Sequence, residues 1–165
     1  MTKVVKFGGS SLASAEQFKK VKEIITAESS RRFVVPSAPG KRFSNDTKVT
    51  DMLYGCYDLA AKGKDFSSEF DAIKERYYGI INDLGLDLSL DKEFETIKAC
   101  FIGKAGRDYA ASRGEYLNGI VLANYLGYNF VDAADVIYFN DQGQFVSART
   151  NEVLPQRLAT LDNAV

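Results

Sequence analysis

The residues with the most chemical capacity fall in three short segments. The first is Lys6-Phe7-Gly8-Gly9-Ser10-Ser11. Paired glycines, Gly8 and Gly9, let the backbone approach a ligand closely, so that their N–H groups can point into an anion. The start of a following helix adds partial positive charge. Lys6, one residue inside a strand end, brings an ammonium to the same spot. These are the parts of a phosphate site; a glycine turn beside a surface lysine is the alternative. The second segment runs Val35-Pro36-Ser37-Ala38-Pro39-Gly40-Lys41 and then reaches Lys48-Val49-Thr50-Asp51. Ser37 and Thr50 are small hydroxyl donors able to hold a carboxylate. Otherwise Ser37 is a turn residue, and Thr50 a helix residue bonded back to its own backbone. The third segment is Ser112-Arg113-Gly114-Glu115. Here Glu115 either meets a substrate ammonium or closes a Ser-x-x-Glu capping box in front of an apolar helix.

Much chemistry is excluded. The 165 residues include no histidine, which removes a Ser-His-Asp triad, a Cys-His pair and an imidazole base together. With two distant cysteines, Cys56 and Cys100, a structural zinc site is not expected; both are expected to be buried, reduced thiols among apolar neighbours. Gly40-Lys41 is not a Walker loop, since Arg42 follows it and Val35 stands where the motif needs glycine. Gly8-Gly9 lacks the third glycine of a dinucleotide fingerprint. A net charge of -1 argues against a nucleic-acid binder. No apolar run approaches the roughly 20 residues of a spanning helix, and the start has no signal-peptide pattern. The expected compartment is the cytoplasm.

The elements that must position these segments follow from periodicity. Residues 3–7 read as a buried strand stopped by Gly8-Gly9. Ser14 and Gln17 suggest a capping box before a helix carrying Phe18, Val21, Ile24 and Ile25. Residues 33–35 form a second strand, ended by Pro36, and 37–46 a loop. Val49, Met52, Leu53, Cys56, Leu59 and Ala60 mark a helix with Asp46 as the expected N-cap. Phe66, Phe70, Ile73, Tyr77, Ile80 and Ile81 mark another. Asp91 is expected to cap a helix reaching Phe101, and Ser112 to open a longer one stopped by Gly127. Residues 130–131 and 136–139 return to strand character, with a turn at 141–143 and a pairing back through Phe145-Val146. A helix over 150–161 precedes an apolar ending that resembles the first step of a strand. The order implies one α/β domain, a mostly parallel central sheet with helices on both faces. In such sheets, ligands gather beyond the carboxyl ends of the strands, which is where the three segments fall.

Taken together the segments resemble the aspartate kinases of the amino acid kinase superfamily. The matching pieces are KFGGSS at 6–11, VVPSAPG at 34–40, KVTDML at 48–53, SRGE at 112–115 and VDAADV at 131–136. They stand in the family's order and cover most of the chain. SRGE departs from the commoner form, which has an aromatic residue where Arg113 stands.

The resemblance implies the amino acid kinase (carbamate kinase-like) fold, incomplete here, and transfer of the γ-phosphoryl of ATP, with its Mg²⁺, to the side-chain carboxylate of L-aspartate. The product, 4-phospho-L-aspartate, is the first intermediate toward lysine, threonine and methionine. By position, Lys6 is implied to stabilise the transferring phosphoryl, with Gly8, Gly9 and Ser10 lining its loop. Ser37, Thr50 and Glu115 are implied to hold aspartate, Glu115 through the α-ammonium. A carboxylate with a pKa near ~4 is already an anionic nucleophile, so no general base is needed. Family members continue with a second glycine-rich segment, an adenine-binding region and usually ACT domains. The expectation is therefore an acid-binding, amino-terminal portion of one kinase domain, inactive by itself. An exposed edge and face suggest self-association into a homo-oligomer. The competing readings are a related kinase of glutamate or acetylglutamate, a non-catalytic anion-binding module, and a structural fragment that binds nothing.

Overall fold

In the computed structural model, which describes residues 1–165, strand β1 (Lys3–Phe7) lies parallel to β2 (Arg31–Pro36). Helix α1 (Ala15–Thr26) makes the crossover between them, after a single 3₁₀ turn over Gly9–Leu12. The pairing sets Val4 against Phe33, Val5 against Val34 and Lys6 against Val35. Since side chains alternate along a strand, Val5, Phe7 and Val34 share one face and pack into the core. Val4 and Val35, on the other face, are 65% and 47% exposed.

The sheet continues past β2 through short bridges. Ala164 pairs in parallel with Phe33 on one side and with Asn129 on the other. Val34 N–H donates to Ala164 O at 2.9 Å, and Val131 N–H to Val165 O at 2.9 Å. The apolar ending thus does enter the sheet, and residues 129–131 are extended as expected. The expected strand over 136–139 is not formed as such. Residues Ala133–Val136 make a short helix, α6, because the Asp132 carboxylate accepts from Ala134 N–H at 2.9 Å and caps it. The hairpin beyond it reduces to one antiparallel bridge, Phe139 with Phe145, over a turn in which Gly143 takes φ 73°. Helix α7 (Ser147–Ala159) follows.

Between β2 and α6 lie α2 (Val49–Ala61), α3 (Ser67–Asp83), α4 (Asp91–Ile102) and α5 (Arg107–Leu126). Their apolar stripes meet in one core that includes Leu53, Ile73, Tyr77, Phe94, Ile97, Phe101 and Leu117. Phe70 packs edge-on against Phe94 at 5.8 Å and Phe101 at 6.1 Å, the geometry that aromatic quadrupoles favour. None of the helices is long and apolar enough to cross a membrane.

Four local expectations need correction. Ser14 occupies the N-cap of α1, but its side chain caps nothing; Gln17 N–H reaches Ser14 O instead. Lys48, not Asp46, is the N-cap of α2, because arginines have taken the Asp46 carboxylate. Asp91 is the first residue of α4 rather than its cap, and accepts from Tyr78 Oη and Ser89 Oγ. Helix α5 begins at Arg107, after Gly106 at φ 106°, so Ser112 lies inside it. Of the two cysteines, Cys56 is buried and Cys100 only half-buried. Burial pushes the Cys56 thiol up to about 12.

Candidate active site

The carboxyl ends of β1 and β2 deliver two loops into contact. Ser37 N–H donates to Phe7 O at 3.0 Å, and Gly40 N–H to Gly9 O at 2.8 Å. A Cβ on Gly9 would stand 2.8 Å from Ala38 O, and one on Gly40 2.6 Å from the Gly9 carbonyl carbon. Both are backbone-to-backbone approaches closer than any Cβ tolerates, so glycine is required at each for steric reasons. Gly9 and Ser10 open the 3₁₀ turn, where their N–H groups have no acceptor within the turn itself. Helix α1 begins further on, at Ala15, so the anion-binding capacity here belongs to the loop backbone and not to the dipole of that helix.

Helices α2 and α5 complete the enclosure. Val49 N–H donates to Pro39 O at 3.1 Å, joining the start of α2 to the second loop and bringing Thr50 to the rim. The Thr50 hydroxyl makes no bond back along its helix, unlike Thr26 and Thr96, which donate to Lys22 O and Lys92 O. Helix α5 comes close because Gly114 has no side chain: a Cβ there would stand 2.6 Å from Ala38 Cβ. The buried Asn118 donates through Nδ2 to Ser37 O at 2.7 Å, and buried Tyr77 donates to Gly114 O at 2.7 Å. The residue after Gly114 is Glu115, whose carboxylate is exposed at the cleft.

The result is one cleft of about 410 Å³ lined by Gly9, Ser10, residues 37–41, Lys48, Thr50 and Glu115. Five of the seven residues singled out from the sequence meet here: Gly9, Ser10, Ser37, Thr50 and Glu115. Gly8 and Lys6 lie just outside the lining. Lys6 is exposed on the Val4–Val35 face of the sheet, one residue short of the strand's end. The capping-box reading of Glu115 is not realised, since α5 starts two turns earlier. Arg113, the departure from the family pattern, points away from the cleft. It stacks between Tyr109 and Tyr116, 4.6 Å from each ring, over a separate hollow of about 120 Å³.

The cleft is polar, with Ala38 and Pro39 as its least polar walls. Two lysines, Lys41 and Lys48, face one carboxylate, that of Glu115, a balance suited to an anion that also carries an ammonium. Behind the second loop, Asp46 accepts two bonds from the Arg42 guanidinium and one from Arg76 at 2.7 Å. The Arg42 bonds, with Arg76 adding to them, hold the Asp46 carboxyl far below the usual range. Burial lowers Arg76 from its ordinary value, opposed by Asp46. Sequence reasoning placed Gly40, Lys41 and Lys48 in its second segment without a role of their own, and missed Arg76 and Asn118. Arg76 carried a signal, being a charge set into the apolar stripe of Ile73, Tyr77 and Ile80.

The chain has relatives among known proteins. The chain is similar to aspartokinase 3 of Bacillus subtilis, 36% identical over 96% of this chain and 37% of that protein. It is also similar to the chloroplastic aspartokinase 1 of Arabidopsis thaliana, 32% identical over 76% of this chain and 23% of that one. The crystal structure of Clostridium acetobutylicum aspartate kinase superposes with a TM-score of 0.94 at 44% identity, over 100% of this chain and 38% of that one. Aspartokinase III of E. coli, in complex with aspartate and ADP, shares the fold at a TM-score of 0.78 and 20% identity. The chain thus spans well under half the length of these relatives. The profile of the amino acid kinase family matches residues 1–164, and the chain belongs to that family.

Proposed function

We propose that this chain is the acid-binding part of an aspartate kinase, which transfers the γ-phosphoryl of ATP to the side-chain carboxylate of L-aspartate. The observation that carries the reading is the convergence of Gly9 and Ser10, Ser37, Thr50 and Glu115 on one cleft. These residues come from three separate parts of the sequence, and only the fold brings them together. In this reading Ser37 and Thr50 donate to the carboxylates of aspartate, and Glu115 accepts from its α-ammonium. Gly8, Gly9 and Ser10 offer N–H groups to phosphoryl oxygens, and Lys6 moves over the strand end to the same charge.

The donors fit the nucleotide phosphates: an ammonium, backbone N–H groups and a hydroxyl all favour anionic oxygen. ATP supplies the phosphoryl group, and Mg²⁺ enters with it to neutralise its oxygens. Phosphoryl transfer asks the protein mainly for positioning and for charge stabilisation. The acceptor carboxylate is ionised at neutral pH, so a chain without histidine loses nothing for want of a base. The adenine site and the remaining contacts to the acid come, on this reading, from sequence outside residues 1–165, and the enzyme is cytoplasmic.

The test is ATP-dependent hydroxamate formation by the enzyme that carries this sequence, offered L-aspartate, L-glutamate or N-acetyl-L-glutamate. Hydroxylamine traps the acyl phosphate itself. Product is expected with aspartate, and a loss of at least ~100-fold with Lys6→Ala, the scale seen when one charge-stabilising donor is removed. Product with glutamate or acetylglutamate in preference to aspartate would overturn the substrate assignment.

A further inference from the structure

Arg76 is a residue that the proposed chemistry does not use and the fold does not obviously need. It projects from the middle of α3 with its side chain 4% exposed. A buried guanidinium is costly unless its charge and its donors are met. Its acceptors come from both loops of the cleft. Nη2 donates to Ala13 O, at the end of the glycine loop, at 3.3 Å, and to Gly40 O in the second loop. Nη1 donates to Asp46 Oδ2 at 2.7 Å, at the far end of that second loop. Asp46 is held in turn by Arg42. One planar side chain thus spans the end of the glycine loop, the Pro39-Gly40 turn and Asp46, two residues before the N-cap of α2.

We propose that Arg76 is a positioning residue that fixes the phosphate-binding loop against the acid-binding loop, and so sets the distance between the two reacting groups. What the loops hold rests on the reading given above; that Arg76 joins them does not. Three features favour positioning over bulk stability. The guanidinium meets backbone carbonyls of both loops rather than a single carboxylate. Its Nε has no hydrogen-bond partner, a cost that an apolar residue in the same stripe would avoid. And the backbone contact it braces, Gly40 N–H to Gly9 O at 2.8 Å, joins the two loops directly. Tyr77, the next residue, reaches Gly114 O beside Glu115, so adjacent residues of α3 support opposite walls of the cleft.

The experiment is amide hydrogen exchange on the enzyme that carries this sequence, comparing wild type with Arg76→Met, Arg76→Lys and the double variant Arg76→Met/Asp46→Asn. The double variant removes both charges and leaves neither buried alone. L-aspartate affinity is measured on the same samples. Exchange at Gly40 N–H is expected to rise at least ~10-fold in Arg76→Met and in the double variant. It should rise less in Arg76→Lys, whose ammonium keeps the charge but cannot span all three acceptors. Amides in the middle of α2 and α5 should change less than twofold. Should Arg76→Met not fold, the double and lysine variants decide by the same criterion. Unchanged Gly40 exchange, or an equal rise throughout the domain, would overturn the proposal, since the second result marks a purely structural residue. Wild-type enzyme that shows no aspartate binding, with Gly40 protection lost in the variants, would leave the positioning role standing and sink the substrate reading instead.

Discussion

Glu115, Ser37 and Thr50 belong to a helix, a loop and a helix start far apart in sequence, and each was visible only as a residue type in a suggestive segment. For Glu115 the competing role was a capping box, and the structure removes it by placing the start of α5 at Arg107. That start was hidden because residues 107–111 give little apolar signal; the one fully buried side chain there is Ala110. Asp46 shows the opposite error. It has the character of an N-cap, yet its carboxylate serves Arg42 and Arg76, and the second of these lies 30 positions away, beyond any local rule. A pH dependence follows from that pairing. Folding lowers the Asp46 pKa, so its contribution to stability is complete above the unfolded-state value near ~4 and is lost as pH falls toward the folded value. Urea denaturation of wild type and Asp46→Asn should show a constant difference from pH 5 to 7. Below about pH 4 the difference should shrink by up to ~1.4 kcal/mol per pH unit. A difference independent of pH down to 2.5 would contradict the ion pair.

At the scale of elements, the loops are placed by what their glycines lack. The Gly8-Gly9 pair and Pro39-Gly40 both read as turns from sequence, and both are. That they lie on one another could not be read, because the parallel pairing of β1 and β2 is what brings them together. Gly40→Ala would set a Cβ within 2.8 Å of Gly9 and Ser10 backbone atoms. The expected result is a destabilisation of about 1–3 kcal/mol, the range for overpacking against atoms that cannot yield. Gly55→Ala is the control. It stands in α2 with open space around its Cβ and should stabilise by ~0.5–1 kcal/mol. Equal effects at the two positions in urea denaturation would mean that the loops are not in contact. The strand expected over 136–139 was lost for a local reason: valine, isoleucine and phenylalanine suit a strand, but Asp132 caps a helical turn through Val136 first.

For the whole molecule, the α/β class, the parallel sheet and the two glycine loops as turns were legible because the short apolar runs at 3–7 and 33–35 and the helical spacing from Phe18 to Ile81 are strong. The exposure of one sheet face was not, since Val4 and Val35 look like core residues in sequence. These two, and separately Phe139 and Phe145, 63% and 55% exposed, are apolar residues left open to solvent, and the isolated chain is expected to self-associate through such surface. Light scattering should show an apparent mass that rises with concentration; a monomer throughout a hundredfold range would contradict this. The cleft between the two loops and α5 is the proposed site of L-aspartate. The most direct test is ligand-observed NMR of L-aspartate on the enzyme that carries this sequence, with Glu115→Gln as the comparison and D-aspartate and L-glutamate as competitors. Saturation transfer to L-aspartate that is weakened at least ~10-fold by Glu115→Gln, and displaced by neither competitor, is the predicted result. Transfer that is unaffected by the substitution, or none to L-aspartate at millimolar concentration, would contradict it.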